Sequence, residues 1–164
     1  MNLGEELQIL IDSREKLKLN FNQPYISGVK IQKLDCGDYM VELSDGHIPP
    51  VSFERKELGD LFGTLSQGYT RFKKELIRAK NKELQIIIIV KGTLTEVLQG
   101  YKYSKRRPEQ IVQQLFTLLV KYNIWPVFLS TEKEMSDFIY YYACAYARKR
   151  LKDQKCPPTP SKTI

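Results

Sequence analysis

Residues 84–90 hold four consecutive isoleucines and close on Val90. Side chains alternate between the two faces of a strand, so an unbroken β-branched run leaves neither face for water. Such a segment predicts a central strand of a sheet covered on both sides, and the cover has to come from the helical segments around it.

The flanking pattern supplies both partners and cover. Residues 7–11 form a short apolar run that ends at Asp12, as a buried strand would. Residues 13–24 are mixed and polar, a loop or a short helix. Strands are predicted over 29–34 and 39–43, with a turn at 35–38 between them. Asp45-Gly46 marks a hairpin loop before the next strand, 51–56, whose entrance is set by Pro49 and Pro50. Helix follows from Leu58. Asp60 is placed to cap or complement its start and Gly68 to break it, and a second helical piece over 69–80 carries Phe72, Leu76 and Ile77. Pro108 opens a helix with an apolar stripe of Ile111, Leu115, Leu118, Leu119 and Tyr122. Residues 125–129 read as another buried strand. Thr131 and Glu134 form a capping box for a last helix that reaches Leu151. The order predicts an α/β fold: a mixed β-sheet flanked by helices, antiparallel in its early strands and parallel in its late ones. One domain is expected over 1–152, followed by a disordered Pro-, Ser- and Thr-rich tail over 153–164.

Charge narrows the partner. The 164 residues carry 26 Lys and Arg against 19 Asp and Glu, a formal net charge of +7. The basic residues gather in three places: Arg71, Lys73, Lys74, Arg78, Lys80 and Lys82; then Lys102, Lys105, Arg106 and Arg107 with Tyr101 and Tyr103 interleaved; then Arg148, Lys149, Arg150 and Lys152. Such clusters suit a polyanion, because neutralised phosphates release counterions. Any one of them also suits a solvated helix face. No segment has the roughly 20 apolar residues needed to span a membrane, and the polar, acidic N-terminus does not fit a secretory signal. Cys36, Cys144 and Cys156 form no C-x-x-C pair, which argues against zinc and for a reducing compartment. The lone histidine, His47, lies in a turn signal, so histidine-based catalysis is not expected.

The chemistry concentrates in Phe53-Glu54-Arg55-Lys56-Glu57-Leu58-Gly59-Asp60 and, upstream, Cys36-Gly37-Asp38-Tyr39. In a strand, Glu54 and Lys56 share a face about 6–7 Å apart, and Arg55 takes the other. With Asp38 on a neighbouring strand, two carboxylates and a lysine make a cluster suited to metal-dependent phosphodiester cleavage. The carboxylates hold a hard cation, and the lysine orients water or stabilises developing negative charge.

Glu54-Arg55-Lys56 followed by Asp60 resembles the E-R-K-x-x-x-D signature of the XPF-type structure-specific endonucleases, a variant of the PD-(D/E)XK nuclease pattern. The resemblance extends through Gly37-Asp38, through Asp12-Ser13-Arg14-Glu15 as D-x-R-E, and into Thr64-Leu65-Ser66-Gln67-Gly68 and Arg71-Phe72. It implies a restriction-endonuclease-like fold and Mg²⁺-dependent hydrolysis of DNA at branches, flaps or forks in repair, recombination or replication, with Mn²⁺ able to substitute. Asp38 and Glu54 become metal ligands together with the backbone carbonyl of Arg55. Lys56 positions or activates the attacking water, Asp12 is a further acid of the site, and Arg55 and Asp60 support it. Arg14, Arg71, Lys74, Lys105, Arg106 and Arg107 are the DNA-contacting candidates. Arg14 and Glu15 suit an internal salt bridge equally.

Members of that family usually carry a tandem helix-hairpin-helix module after the nuclease domain. Its absence from these residues implies a compact stand-alone nuclease of bacterial or phage type, acting in the cytoplasm, or in the nucleus if eukaryotic. Many eukaryotic relatives also have glutamine where Glu75 stands. The family dimerises through this domain, and the tyrosine-rich last helix (Tyr140, Tyr141, Tyr142 and Tyr146 beside Met135, Phe138 and Ile139) is a candidate surface for a homodimer. The competing reading is a non-catalytic DNA-binding scaffold or partner subunit with a nuclease-like fold.

Overall fold

In the computed structural model, which describes residues 6–155, the elements run β1 (Leu7–Asp12), β2 (Ile26–Gln32), β3 (Tyr39–Leu43), β4 (Val51–Glu57), α1 (Leu58–Thr64), α2 (Tyr69–Asn81), β5 (Gln85–Lys91), α3 (Leu94–Gln99), α4 (Pro108–Tyr122), β6 (Trp125–Leu129) and α5 (Glu132–Lys155). The strands form one mixed sheet in the order β2-β1-β3-β4-β5-β6. This is the expected α/β architecture, a six-stranded sheet flanked by helices.

The isoleucine run does what its composition requires. Ile86, Ile87, Ile88, Ile89 and Val90 are all buried, and they divide by parity. Ile87 and Ile89 face a core built from β1, β3 and α5, with Leu7, Tyr39, Phe53 and Ile139 among its members. Ile86, Ile88 and Val90 face a second core under α1, α2 and α4, with Phe62, Phe72, Leu76 and Leu115. On α4 the expected stripe is deepest at Ile111, Leu115 and Leu118, which are fully buried. Burying a large aliphatic side chain contributes about 1.5–3 kcal/mol, so this one strand anchors both layers.

Several expectations need correction. β2 pairs parallel with β1, Leu7 opposite Ile26, so the early strands are not all antiparallel. Residues 13–25 carry the chain back to the start of β1 as an irregular loop, anchored where the Leu19 amide donates to the Tyr39 hydroxyl at 3.0 Å. β2 also begins three residues earlier than predicted. As an edge strand it leaves Val29 and Ile31 exposed. β6 is the opposite edge and is only half-buried, with Trp125 exposed, because it has a neighbour on one side only. Helix α3 was not predicted, although Thr93 and Glu96 make a full capping box at its start. At α5, Thr131 Oγ1 accepts from the Glu134 amide at 3.1 Å while the Glu134 carboxylate takes the Ser130 amide at 2.6 Å. That helix runs to Lys155, so residues 153–155 are helical and not the start of a disordered tail. Residues 156–164 lie outside the described residues.

The tyrosines of α5 are largely core. Met135, Ile139 and Tyr140 are buried, and Phe138 and Tyr142 meet the Phe53 ring edge-on at 6.2 and 5.4 Å. Tyr146 stacks on His47, which sits in the expected loop and lies 3.2 Å from its hydroxyl. Only Tyr141 is exposed among these aromatics. Cys36 and Cys144 are free and buried, and Cys156 lies outside the described residues. Among the described residues no helix is long and apolar enough to cross a membrane.

Because Ile89 is fully buried between β4 and β6, Ile89→Ala is expected to lower unfolding stability by about 2–5 kcal/mol. Urea unfolding followed by circular dichroism measures this. A loss under about 1 kcal/mol would mean that the strand is not a shared anchor.

Candidate active site

The site is built where β3 begins and β4 ends. Gly37 adopts φ of +73°, and a Cβ placed on it would fall 2.1 Å from the Ser52 hydroxyl. Only glycine fits this turn. Ser52 Oγ in turn donates to the Cys36 carbonyl at 2.8 Å, and the Gly37 amide donates to Glu75 Oε1 at 3.0 Å. The turn delivers Asp38 between two strands: its amide donates to the Phe53 carbonyl at 2.8 Å, and its carbonyl accepts from the Asp12 amide at 2.8 Å. Asp38 Oδ2 then accepts the Arg55 amide of β4 at 2.8 Å.

Strand alternation sorts the charges of β4 as predicted. Ser52, Glu54 and Lys56 pair with Ile86, Ile88 and Val90 and so face the α1–α2 layer. Lys56 Nζ donates to Glu54 Oε1 and lies 6.0 Å from the centre of the Phe72 ring on α2. Arg55 turns to the other face, where its guanidinium pairs with Glu57 and reaches Glu132 of α5 at 3.5 Å.

Burial dominates the electrostatics. It raises the Asp38 carboxyl, and the neighbouring Glu54 charge raises it further, to about 8 even though the Arg55 amide opposes the shift. Glu54 is raised as well, first by burial, with Lys56 opposing and Glu75 and Glu15 adding to it. For Lys56 burial works against the charged form, but Glu54, Asp38 and Glu75 outweigh it and hold the ammonium charged. With both carboxylates ionised the cluster would carry more negative charge than one lysine offsets, in a desolvated place, which is why the two are pushed toward their neutral forms.

That surplus fits a divalent cation. Among the described residues no three Asp, Glu, His or Cys side chains converge as a ligand set, so a metal held here would have to draw on the main chain besides Asp38 and Glu54. The Arg55 carbonyl suits the third role. In a strand the N–H and C=O of one residue point the same way, and the Arg55 N–H points at Asp38.

Other predicted site residues are placed differently. Asp12 is buried beside Asp38 through the backbone, but its carboxylate is fully engaged. Oδ1 accepts from the Arg14 amide and Nε at 2.7 Å each, and Oδ2 from Arg14 Nη2 at 2.8 Å and the Leu34 amide at 2.7 Å. Burial would raise it, yet these bonds prevail and hold it at about 2. Asp12 is thus the clasp that ties β1 to the segment leading into Asp38. Arg14 belongs to that clasp and does not pair with Glu15, although its side chain remains 65% exposed. Asp60 lies exposed in the first turn of α1, complementing the free amides there, and makes no bond to Asp38, Glu54 or Lys56. Arg71, Lys74, Lys105 and Arg107 are exposed. Arg106 is half-buried, and its Nη1 donates to the Leu65 carbonyl at 2.6 Å and to Gln114.

Two acids were undervalued. Glu75 holds Gly37 and presses on Glu54 and Lys56, and Glu15 acts on Asp38 and Glu54. The signal for Glu75 was its phase: with Phe72, Leu76 and Ala79 it lies on the inward face of α2, where a charge needs a reason.

The sequence pattern of the ERCC4 domain matches residues 11–142, most of the chain and all of the site. The protein belongs to the ERCC4 domain family. These are XPF-type nucleases of the PD-(D/E)XK class, and such nucleases are typically dependent on a divalent metal. The fold is similar to that of XPF from Aeropyrum pernix, with a TM-score of 0.61 and 20% identity over 90% of this chain and 68% of that one. XPF from Aeropyrum pernix in complex with DNA gives a TM-score of 0.59 at 19% identity, covering 94% of this chain and 69% of that one. No curated protein sequence matches.

The raised Asp38 makes a stability prediction for this ERCC4 domain. Below about pH 4 the carboxyl is protonated whether folded or unfolded. Between there and about 8 the unfolded chain ionises first, so stability falls as pH rises. Asp38→Asn cannot ionise. In EDTA at pH 8.5 it is expected to melt about 5 °C or more above wild type, with the gap closing at pH 4. Thermal melts at the two pH values decide it, and a mutant no more stable at pH 8.5 would contradict the buried-charge account.

Proposed function

We propose that this ERCC4 domain is a divalent-metal-dependent DNA endonuclease that hydrolyses phosphodiester bonds at branched, flap or fork structures. The observation that carries the reading is the trio of buried Glu54 with half-buried Asp38 and Lys56, two raised carboxylates against one retained ammonium. Asp38, Glu54 and the Arg55 carbonyl would hold Mg²⁺, or Mn²⁺ in its place. Bound there, the ion supplies Lewis-acid polarisation of the phosphate and of a water.

The protein's own groups do the remaining work. Lys56 Nζ, held by Glu54 and packed over Phe72, is fixed to orient the attacking water and to meet the negative charge that develops on phosphate. The Arg55 amide occupies Asp38 Oδ2, which leaves Oδ1 to serve a cation. Arg55 itself is a positioning residue, since its guanidinium acts from the opposite face. Outside the trio, exposed Arg71, Lys74, Lys105 and Arg107 suit contacts to the DNA backbone, and the net charge of +7 favours a polyanion. One similar solved structure is itself a complex with DNA.

Asp38→Asn and Lys56→Ala are each expected to lower cleavage at least a hundredfold with binding retained. Labelled forked, flapped, four-way and linear DNA with Mg²⁺ or Mn²⁺ tests this. Binding by wild type without cutting on any substrate would favour the scaffold reading.

A homodimer belongs to the same proposal, through α4 and the β6 edge. Phe116 and Val120 lie one turn apart on α4 and Trp125 begins β6, and all three are exposed, Val120 at 83%. Val120→Glu is expected to convert a dimer to a monomer in sedimentation velocity at tens of micromolar. A wild-type monomer under those conditions would count against the dimer.

A further inference from the structure

A groove of about 530 Å³ runs between α1 and the segment that joins α3 to α4. None of the trio lines it, yet it lies close to the trio along the chain. Glu57 is both the last residue of β4 and the N-cap of α1, so Gly59 on the groove floor is only three residues beyond Lys56.

The walls are aromatic and basic. Tyr101 packs on Phe62 at 5.8 Å and meets Tyr103 edge-on at 5.5 Å. Tyr103 is held by this chain of rings and by Lys102 Nζ, 4.6 Å from its centre, but is still 72% exposed. Exposed Lys105 lines the same opening, and exposed Arg107 follows it. The groove is prebuilt: the Arg106 bonds to the Leu65 carbonyl and Gln114 pin the segment against the end of α1 and against α4.

The floor is kept at backbone level by two glycines one turn apart. At Gly59 a Cβ would come within 2.7 Å of the Tyr101 hydroxyl, so glycine is needed for the aromatic wall to approach. At Gly63 a Cβ would meet nothing within 4 Å. Glycine inside a helix costs about 0.5–1 kcal/mol relative to alanine, and no packing contact explains it at this position. Beside the floor the buried Ser66 hydroxyl has no hydrogen-bond partner among the described residues.

We infer that this groove receives an unpaired nucleotide of a DNA single strand, its base stacked on Tyr103 and its phosphates met by Lys105 and Arg107. The inference rests on the nuclease reading above and adds how a branch is told from a plain duplex. Inside duplex DNA both faces of each base are covered by neighbours, so away from duplex ends only an unpaired base can offer a face to Tyr103, and the duplex in the test is closed at both ends by hairpin loops that carry no bases. Stacking on an aromatic side chain with basic groups along the backbone is the usual means of holding single strands. The volume lies in the range of ordinary ligand sites.

The test is fluorescence anisotropy of a labelled oligo-dT strand and of an equally long duplex, in EDTA, with the full chain. Tyr103→Ala is expected to weaken single-strand binding about tenfold and duplex binding less than twofold, with Tyr103→Phe restoring wild-type behaviour. Gly63→Leu, which fills the groove and suits a helix better, is expected to give the same selective loss with no fall in melting temperature. Equal losses on strand and duplex, or no loss with either variant, would overturn the inference. So would displacement of the strand by free dTMP at matching concentration, which would mark a mononucleotide pocket. The assay needs no cleavage, so the two readings fail separately: selective binding without cutting sinks only the nuclease, and cutting without Tyr103-dependent binding sinks only the groove.

Discussion

Strand β4 carries Glu54, Arg55 and Lys56 in succession through the middle of a sheet, and Glu54 and Arg55 are each only 7% exposed. Desolvating an ion costs several kcal/mol unless a partner and hydrogen bonds offset it. Much of the surrounding structure consists of those partners. Lys56 answers Glu54 on one face. Glu57 and Glu132 answer Arg55 on the other, and Lys91 joins them 3.0 Å from Glu132, fastening the start of α5 to the ends of β4 and β5. Even so the compensation is incomplete. Arg55 Nε has no partner among the described residues, and Asp38 and Glu54 are both pushed toward their neutral forms. An incompletely compensated charge cluster in an otherwise well-packed core marks a candidate functional site.

How much of this was legible in the sequence depended on the range over which each signal acts. The parity of β4 and β5 follows from local alternation alone, so the shared face of Glu54 and Lys56 and the two-sided burial of the isoleucines could be read directly. Pro108 at the first turn of α4 and Gly68 between α1 and α2 are similarly local. Strand order is not local. That β2 lies parallel to β1 depends on how residues 13–25 return, and no turn motif there encodes it. The exposure of β6 follows from its place at the sheet edge, while its apolar composition matches that of an interior strand.

The roles of the acids show the same divide. Asp12 belongs to the D-x-R-E motif, and motif membership made it a candidate for the reacting centre. The structure gives its four hydrogen bonds to Arg14 and Leu34, which leaves it no capacity for a ligand and makes it the brace behind Asp38. Glu75 shows the converse. It lies outside the quoted motif, yet its carboxylate holds the Gly37 amide and adds to the field on Glu54 and Lys56. Which carboxylate is a brace and which is free is decided by partners distant in sequence, and spacing along one segment cannot report it. The tyrosines of α5 were open to two readings for a related reason. Amphipathic aromatics suit a core with polar rims as well as an interface, and here Phe53 provides the core.

The two layers of the molecule divide the work unequally. On the α5 side the sheet is covered by one long helix whose buried residues include Met135, Ile139, Ala143 and Ala147, a continuous apolar contact that holds β1, β3 and β4 in place. The other side is covered by shorter helices, and there the acids, the lysine and the groove lie. The junction of β4 with α1 couples them. Glu57 ends the strand and caps the helix with extended backbone at φ −71° and ψ 157°, so no flexible linker intervenes. The ring centre of Phe72 on α2 lies 6.0 Å from the Lys56 ammonium, so α2 as well as α1 borders the lysine. The α5 layer is one continuous apolar contact, and the functional groups gather on the side covered by several short helices.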